Sequence, residues 1–165
     1  MSARPSGNCA EVIDAAARAL LPKVMAWLKS QGDFSSDDEV LSDLKGAIRS
    51  PSHGAGDGYT IASALDQKRG WLPDFDLVEI LESASSEKME AHRRLVGEWV
   101  LRDGIKLEFG VGIRVETDRG PGVISALWSE TAEYVVATDD EPRHANGGGW
   151  VLPAERCKRI AQTVE

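Results

Sequence analysis

The chain has 165 residues, enough for one ordinary domain or two small ones, and its content of 42% hydrophobic and 28% charged residues excludes a wholly disordered protein. Its formal net charge of −8 equals that of the segment from Asp33 to Glu90 alone, which holds 13 acidic and 5 basic residues. Because such a negative field repels phosphate, it disfavours direct nucleic-acid binding there and favours a protein partner with a basic surface.

Cysteine usage and hydropathy indicate a cytoplasmic protein. Cys9 and Cys157 lie near opposite ends of the chain, without Cys-x-x-Cys spacing and without a neighbouring histidine, which argues against a zinc site. We expect two free thiols in a reducing compartment, with a disulfide between them as the alternative. The first residues contain no apolar leader, and no stretch approaches the ~20 apolar residues of a membrane span.

Apolar residues at steps of three and four predict a bundle of helices in residues 1–104. We expect these helices at about residues 11–29, 35–48, 57–69, 73–81 and 86–102. Pro22 lies inside the first of them and predicts a kink or a break just before it, because proline lacks the backbone N–H that an interior helical hydrogen bond requires.

After Gly104 the hydrophobic period changes to the alternation typical of strands. We expect strands at about residues 113–117, 123–128, 134–137, 150–152 and 157–160. A turn is predicted from Asp118 to Gly122. Five short strands in residues 105–165 suit a small closed or nearly closed barrel, so the predicted fold is α+β. A homodimer formed through the strand edges of this barrel stays open as an alternative.

The C-terminal segment resembles SH3-like barrels of the KOW and related types. The resemblance is carried by Gly120-Pro121-Gly122, Val123-Ile124, Tyr134-Val135-Val136 and Trp150-Val151-Leu152-Pro153. In those folds a glycine turn leads into a strand, and a partner-binding strand follows. The resemblance implies a binding module for protein or nucleic acid, with no catalytic residues.

Two segments of the helical half, 57–62 and 71–81, resemble uncharacterised phage and prophage proteins. Their sequences are Asp-Gly-Tyr-Thr-Ile-Ala and Trp-Leu-Pro-Asp-Phe-Asp-Leu-Val-Glu-Ile-Leu. The resemblance implies an accessory or anti-defence role in the cytoplasm of a host cell. It supplies no mechanism.

No motif in the chain indicates an enzyme. The glycine-rich stretch from Gly54 to Gly58 lacks the lysine and Ser/Thr of a phosphate-binding P-loop and follows a helix, so a linker is favoured. His53, His92 and His144 form no spaced pair, and there is no Gly-x-Ser-x-Gly elbow. We therefore predict no catalytic residue, no cofactor and no metal site.

Two acidic clusters are the candidate partner-binding residues of the helical half. They are Asp37, Asp38 and Glu39, and Asp74, Asp76 and Glu79. Each cluster falls in the first turns of a predicted helix, where negative charge stabilises the helix dipole in any case. The alternatives are capping on a solvated face and an acidic surface that binds lysines and arginines of a partner.

Aromatic residues are the candidate contacts in the barrel half. They are Trp128, Tyr134 and Trp150, with core packing as the alternative for each. Arg156, Lys158 and Arg159 form a short basic patch that could contact phosphate, although ordinary surface is favoured. Trp27 and Trp99 lie on apolar helical faces and are predicted core residues, and Trp71 could pack back from its loop.

These patterns favour a non-enzymatic binding protein, encoded by a phage, whose acidic surface docks on and inhibits a basic nucleic-acid-handling defence protein of the host. The alternative is a nucleic-acid-binding accessory module that acts through the C-terminal barrel.

Overall fold

The α+β layout predicted from the sequence is confirmed by the structure of the chain, a computed structural model that describes residues 2–33, 35–49, 57–140 and 148–160. Within those ranges, five helices precede a five-stranded antiparallel sheet. The helices are α1 (Ala10–Ser30), α2 (Asp37–Arg49), α3 (Gly58–Arg69), α4 (Phe75–Glu82) and α5 (Ala84–Asp103). The strands are β1 (Arg114–Thr117), β2 (Gly120–Trp128), β3 (Glu133–Thr138), β4 (Trp150–Pro153) and β5 (Lys158–Arg159).

The chain divides into two compact units. The helical unit comprises residues Arg4–Leu95, and the sheet unit comprises Met1–Ala3 together with Val96–Glu165. The boundary between the two units therefore falls inside α5, whereas the predicted boundary is at the end of that helix, at residue 104. The last two turns of α5 carry Val96, Trp99 and Val100, which pack against Ala132 of the sheet unit.

The helical unit is built on one apolar core to which α1 to α4 contribute. Its most deeply buried large side chains are Ile13, Leu20, Val24, Val40, Leu44, Leu65, Leu77 and Leu81. The spacing of three and four residues that predicted the helices thus marks their buried faces. Asp57 caps α3 by accepting a hydrogen bond of 2.7 Å from the Thr60 N–H, and Gly70 ends that helix in the left-handed conformation.

Pro22 lies within α1, which continues through it to Ser30 without a break. The residue is exposed, so its ring displaces no core side chain. Flanking residues Leu20 and Val24 are buried. Packing of the apolar face thus offsets the hydrogen bond that the proline lacks.

The sheet unit is a meander in which the last strand returns to the first. The strand order is β4-β3-β2-β1-β5, with every pair antiparallel. Within the described residues the sheet does not close into a barrel, because β4 pairs only with β3 and β5 pairs only with β1. A 3₁₀ turn (Ala154–Arg156) separates these two edge strands, and β5 has only two residues.

The predicted turn from Asp118 to Gly122 is shorter than expected. Thr117 pairs with Gly120, so only Asp118 and Arg119 form the turn and Gly120–Gly122 belong to β2. A Cβ atom at Gly122 would lie 2.5 Å from the carbonyl oxygen of Ala137 on the neighbouring strand. Gly122 is therefore required by close strand packing and not by turn geometry.

None of the helices in the described ranges has the length and apolar character needed to cross a membrane.

Helices α3 and α4 approach so closely that Gly58, the first residue of α3, cannot be replaced without strain. A Cβ atom there would overlap the carbonyl oxygen of Val78 and lie 2.8 Å from the Glu82 nitrogen, both on the backbone of α4. Gly58→Ala is expected to lower the free energy of unfolding by about 1–3 kcal/mol through this overlap. Urea unfolding followed by far-UV circular dichroism measures the change.

Gly46→Ala is the matched control. It lies inside α2, and its added methyl group would meet only the flexible end of Arg69, at 3.0 Å. Alanine is the better helix former by up to about 1 kcal/mol, so this variant should unfold at the same or a slightly higher urea concentration. Equal stabilities for the two variants would contradict the proposed contact between α3 and α4.

Candidate partner-binding cleft

Two stacked tryptophans line a cleft of the helical unit. The ring of Trp27 in α1 stacks on the ring of Trp71 in the α3–α4 loop, with centroids 6.2 Å apart and planes inclined by 12°. Trp27 is buried and Trp71 is half-buried. Trp71 thus packs back onto the helices and presents part of its indole to solvent.

The indole N–H groups of these two tryptophans donate to different aspartates. Trp27 Nε1 donates to Asp74 Oδ1 at 2.9 Å, and Trp71 Nε1 donates to Asp43 Oδ2 at 3.1 Å. Each pair satisfies a polar group that would otherwise be desolvated without a partner. The two aspartates therefore fix both rings.

Asp74 has a structural role that its sequence position only partly indicates. Its Oδ1 accepts a hydrogen bond of 3.0 Å from the Leu77 N–H and so caps α4, as expected for the residue before a helix. Its other oxygen accepts from Gln31 Nε2 at 3.2 Å. With the Trp27 bond, one carboxylate joins the end of α1 to the start of α4.

Asp43 in α2 also forms an ion pair with Arg69, the last residue of α3. Arg69 Nε lies 3.2 Å from Asp43 Oδ1, and the two side chains are 44% and 24% exposed. Asp43 and Arg69 were not singled out from the sequence. Their partners lie 26 to 28 positions away along the chain, so no local pattern identifies them.

The first acidic cluster forms the N-terminal turn of α2. Glu39 and Ser36 form a capping box: Ser36 Oγ and the Ser36 N–H donate to Glu39 Oε2 at 2.8 and 3.1 Å. These hydrogen bonds lower the pKa of Glu39. Asp37 and Asp38 are exposed.

The cleft itself has a volume of about 900 Å³, and most of the charged side chains that line it are acidic. Four carboxylates line it, against one cationic side chain among the described lining residues, Arg69. The acidic residues are Asp33, Asp38, Glu39 and Asp43. Trp27 and Trp71 supply the aromatic part of the wall, and the 86% exposed Leu72 lies at its edge.

The structure brings part of the two predicted acidic clusters together. Asp38 and Glu39 line the cleft, whereas Asp74 is exposed, does not line it, and accepts a hydrogen bond from Trp27, which does. Asp76 and Glu79 are exposed on α4 and do not line the cleft. Phe75 beside them is 78% exposed, so α4 adds an apolar residue to this acidic surface.

The three aromatic candidates of the sheet unit have different environments. Trp128, at the end of β2, is 46% exposed. Tyr134 is 1% exposed, stacks on Phe109 and accepts a hydrogen bond of 3.0 Å from the Phe109 N–H through its hydroxyl, so it is a core residue. Trp150 is half-buried, and the guanidinium carbon of Arg119 lies 3.7 Å from its ring centroid.

The described residues contain no group of three or more His, Cys, Asp or Glu side chains that could hold a metal ion. Cys9 and Cys157 are free thiols, and burial raises the pKa of the Cys157 thiol. His92 Nε2 lies 3.0 Å from the Pro5 carbonyl oxygen. His53, His144 and the glycine-rich stretch before Asp57 lie outside the described residues.

Comparison of the chain with protein-family models, with curated proteins and with solved structures finds no match.

Asp74 and Asp76 differ in role although they are two positions apart. Asp74→Ala removes the cap of α4 and leaves the buried Trp27 indole N–H without its acceptor, so the free energy of unfolding should fall by about 1–3 kcal/mol. Asp76→Ala changes an exposed side chain and should alter it by less than about 0.5 kcal/mol. Urea unfolding followed by tryptophan fluorescence compares the two variants, and equal losses would refute the assigned role of Asp74.

The capping box predicts how stability depends on pH. Because the pKa of Glu39 in the folded chain is lowered from its ordinary value of 4.5, its ionised form contributes stability above that pH and loses it as the pH falls through the folded value. Glu39→Gln retains an acceptor for Ser36 but cannot ionise. At pH 7 we expect Glu39→Gln to unfold at a lower urea midpoint than wild type. The difference between the two midpoints should narrow below about pH 4. A constant difference across pH would contradict this.

Proposed function

We propose that the chain is a non-enzymatic binding protein whose helical unit binds a basic surface of a partner protein at the cleft beside Trp27 and Trp71. The observation that carries the proposal is the coincidence, in one cleft, of four carboxylates with a partly exposed tryptophan. Carboxylates attract lysine and arginine side chains, and an indole face packs against their methylene stems or the guanidinium plane. This is the chemistry of a cationic protein surface.

The surroundings of the cleft suit a protein partner. Leu72 and Phe75 are large apolar side chains that are 86% and 78% exposed, and they lie on either side of Pro73-Asp74. Exposed apolar residues bordered by charged ones are typical of protein interfaces, where an apolar centre contributes affinity and a charged rim contributes specificity. Asp76 and Glu79 supply such a rim on α4.

The partner class that fits best is a nucleic-acid-handling protein. Proteins that bind phosphate backbones carry extended lysine- and arginine-rich surfaces, and an acidic protein that covers such a surface excludes the nucleic acid. The resemblance of residues 57–62 and 71–81 to phage and prophage proteins supports a phage origin. Inhibition of a host defence protein in the host cytoplasm is the corresponding role.

The alternative, nucleic-acid binding through the sheet unit, has less support. Base stacking needs exposed aromatic faces beside cations. Tyr134 is in the core and Arg119 already covers a face of Trp150, so Trp128 is the most open of the three candidates. Arg156 of the basic patch lies 3.4 Å from Asp118.

An affinity experiment with matched variants tests the proposal. Asp38→Asn/Glu39→Gln removes two negative charges from the cleft, and Asp66→Asn/Glu90→Gln removes two exposed charges of the helical unit outside it. The bait is the full chain, and the lysate of the native host is applied with and without nuclease treatment, at low and at high salt. We expect a protein retained by wild type and by the control pair, released at high salt, and bound about five- to thirtyfold more weakly by the cleft pair.

Three results would overturn the proposal. Equal retention by both pairs of variants would mean that the cleft is not the binding surface. Retention that survives high salt would argue against a charge-based contact. Recovery of nucleic acid, lost on nuclease treatment, would transfer the function to the sheet unit.

A further inference from the structure

The cleft already contains one guanidinium group, which belongs to Arg69. This side chain is bound through Nε to Asp43, 3.2 Å away, while 44% of its surface remains exposed. No other described cation lines the cleft. The free protein thus places a guanidinium of its own against the acidic wall.

The space around Arg69 is provided by the backbone of α2. The Arg69 NH2 nitrogen would lie 3.0 Å from a Cβ atom at Gly46, so the guanidinium lies over a residue that has no side chain. Gly70 follows in the left-handed conformation, with φ of 71°, and ends α3 at Arg69. The arginine therefore extends from the end of α3 towards α2 and lines the cleft.

The contact that holds Arg69 is weak compared with the contacts that hold the rest of the cleft wall. Exposed ion pairs contribute little because water screens both charges and the long side chain loses conformational freedom. Asp43 itself is fixed by the Trp71 indole N–H at 3.1 Å. The acceptor is thus preorganised, and its cation is replaceable.

We propose that Arg69 occupies, in the free protein, the position that an arginine of the basic partner takes in the complex, so that this internal ion pair competes with binding. The inference rests on the proposed function and adds two features to it. The partner contributes a guanidinium to Asp43, and Arg69 lowers the apparent affinity because it must first be displaced. Arginine suits this site because its planar fork can bond a carboxylate through two donors.

A nona-arginine peptide serves as the probe, and its binding to the full chain is measured by isothermal titration calorimetry at low salt. Arg69→Gln should bind the peptide more tightly than wild type, because the competing ion pair is gone. Its gain in affinity should exceed that of the control variant by about two- to fivefold. Arg18→Gln is the matched control. It removes the same charge from another surface ion pair of the helical unit, Arg18–Asp14, which is outside the cleft.

A double-mutant cycle separates competition at Asp43 from the general change in charge. Asp43→Asn retains an oxygen for the Trp71 indole but no charge, so it should weaken peptide binding. The gain from Arg69→Gln over Arg18→Gln should disappear in the Asp43→Asn background. Tryptophan fluorescence and circular dichroism of each variant verify that the helical unit remains folded.

The outcomes separate the two proposals. Equal gains from Arg69→Gln and Arg18→Gln, or a gain that persists with Asp43→Asn, would overturn the internal competitor and leave the acidic cleft in place. Weaker binding by Arg69→Gln would overturn it as well, since Arg69 would then support the site. No salt-sensitive binding of the peptide to any of the folded proteins would overturn the proposed function itself.

Discussion

The hydrogen bond between the Trp27 indole and the Asp74 carboxylate links the helices that form the cleft of the helical unit. Asp74 caps α4 and accepts from the last turn of α1 at the same time, so it fixes the entry of α4 against α1. Trp27 then provides the surface on which Trp71 stacks, and Trp71 orients Asp43 through its own indole. The cleft wall is thus set by a chain of contacts that begins in the core and ends at the surface.

Helix capping and an exposed acidic surface, the two alternatives predicted for the acidic clusters, are compatible with each other. Asp74 and Glu39 are committed to caps, and Glu39 Oε2 takes both Ser36 bonds. The exposed residues beside them, Asp37, Asp38 and Asp76, carry their charge at the helix surface. One short acidic segment can therefore stabilise a helix start with one carboxylate and offer the next to a partner.

Features set by neighbouring residues, such as the helices, were predictable from the sequence. Features set by contacts between residues distant in the chain were not. Leu44, Leu65 and Leu77 are fully buried, and the burial of one face of each helix produces the spacing of three and four residues that is visible in the sequence. In contrast, Gly122 was predicted to lie in a turn. The group that excludes a side chain there is the Ala137 carbonyl of the neighbouring strand, and the local sequence around Gly122 does not reveal that contact. The Asp43 contacts to Trp71 and Arg69 are likewise set by tertiary structure.

The position of a carboxylate relative to the tryptophan wall decides how strongly it can act on a partner. Asp43 is 24% exposed and bonded to an indole, so water screens it less than it screens the solvated carboxylates of α4. The electrostatic field of the exposed Asp76 and Glu79 carboxylates extends over the Debye length, which is about 8–10 Å at physiological salt. Charges of this kind are suited to steering a basic surface towards the protein. In the proposed complex, Asp38 and Asp43 act at contact distance, where hydrogen-bond direction and desolvation matter. In the proposed complex, the number of acidic residues sets the rate of encounter with a basic partner, and the cleft geometry sets which cation is retained.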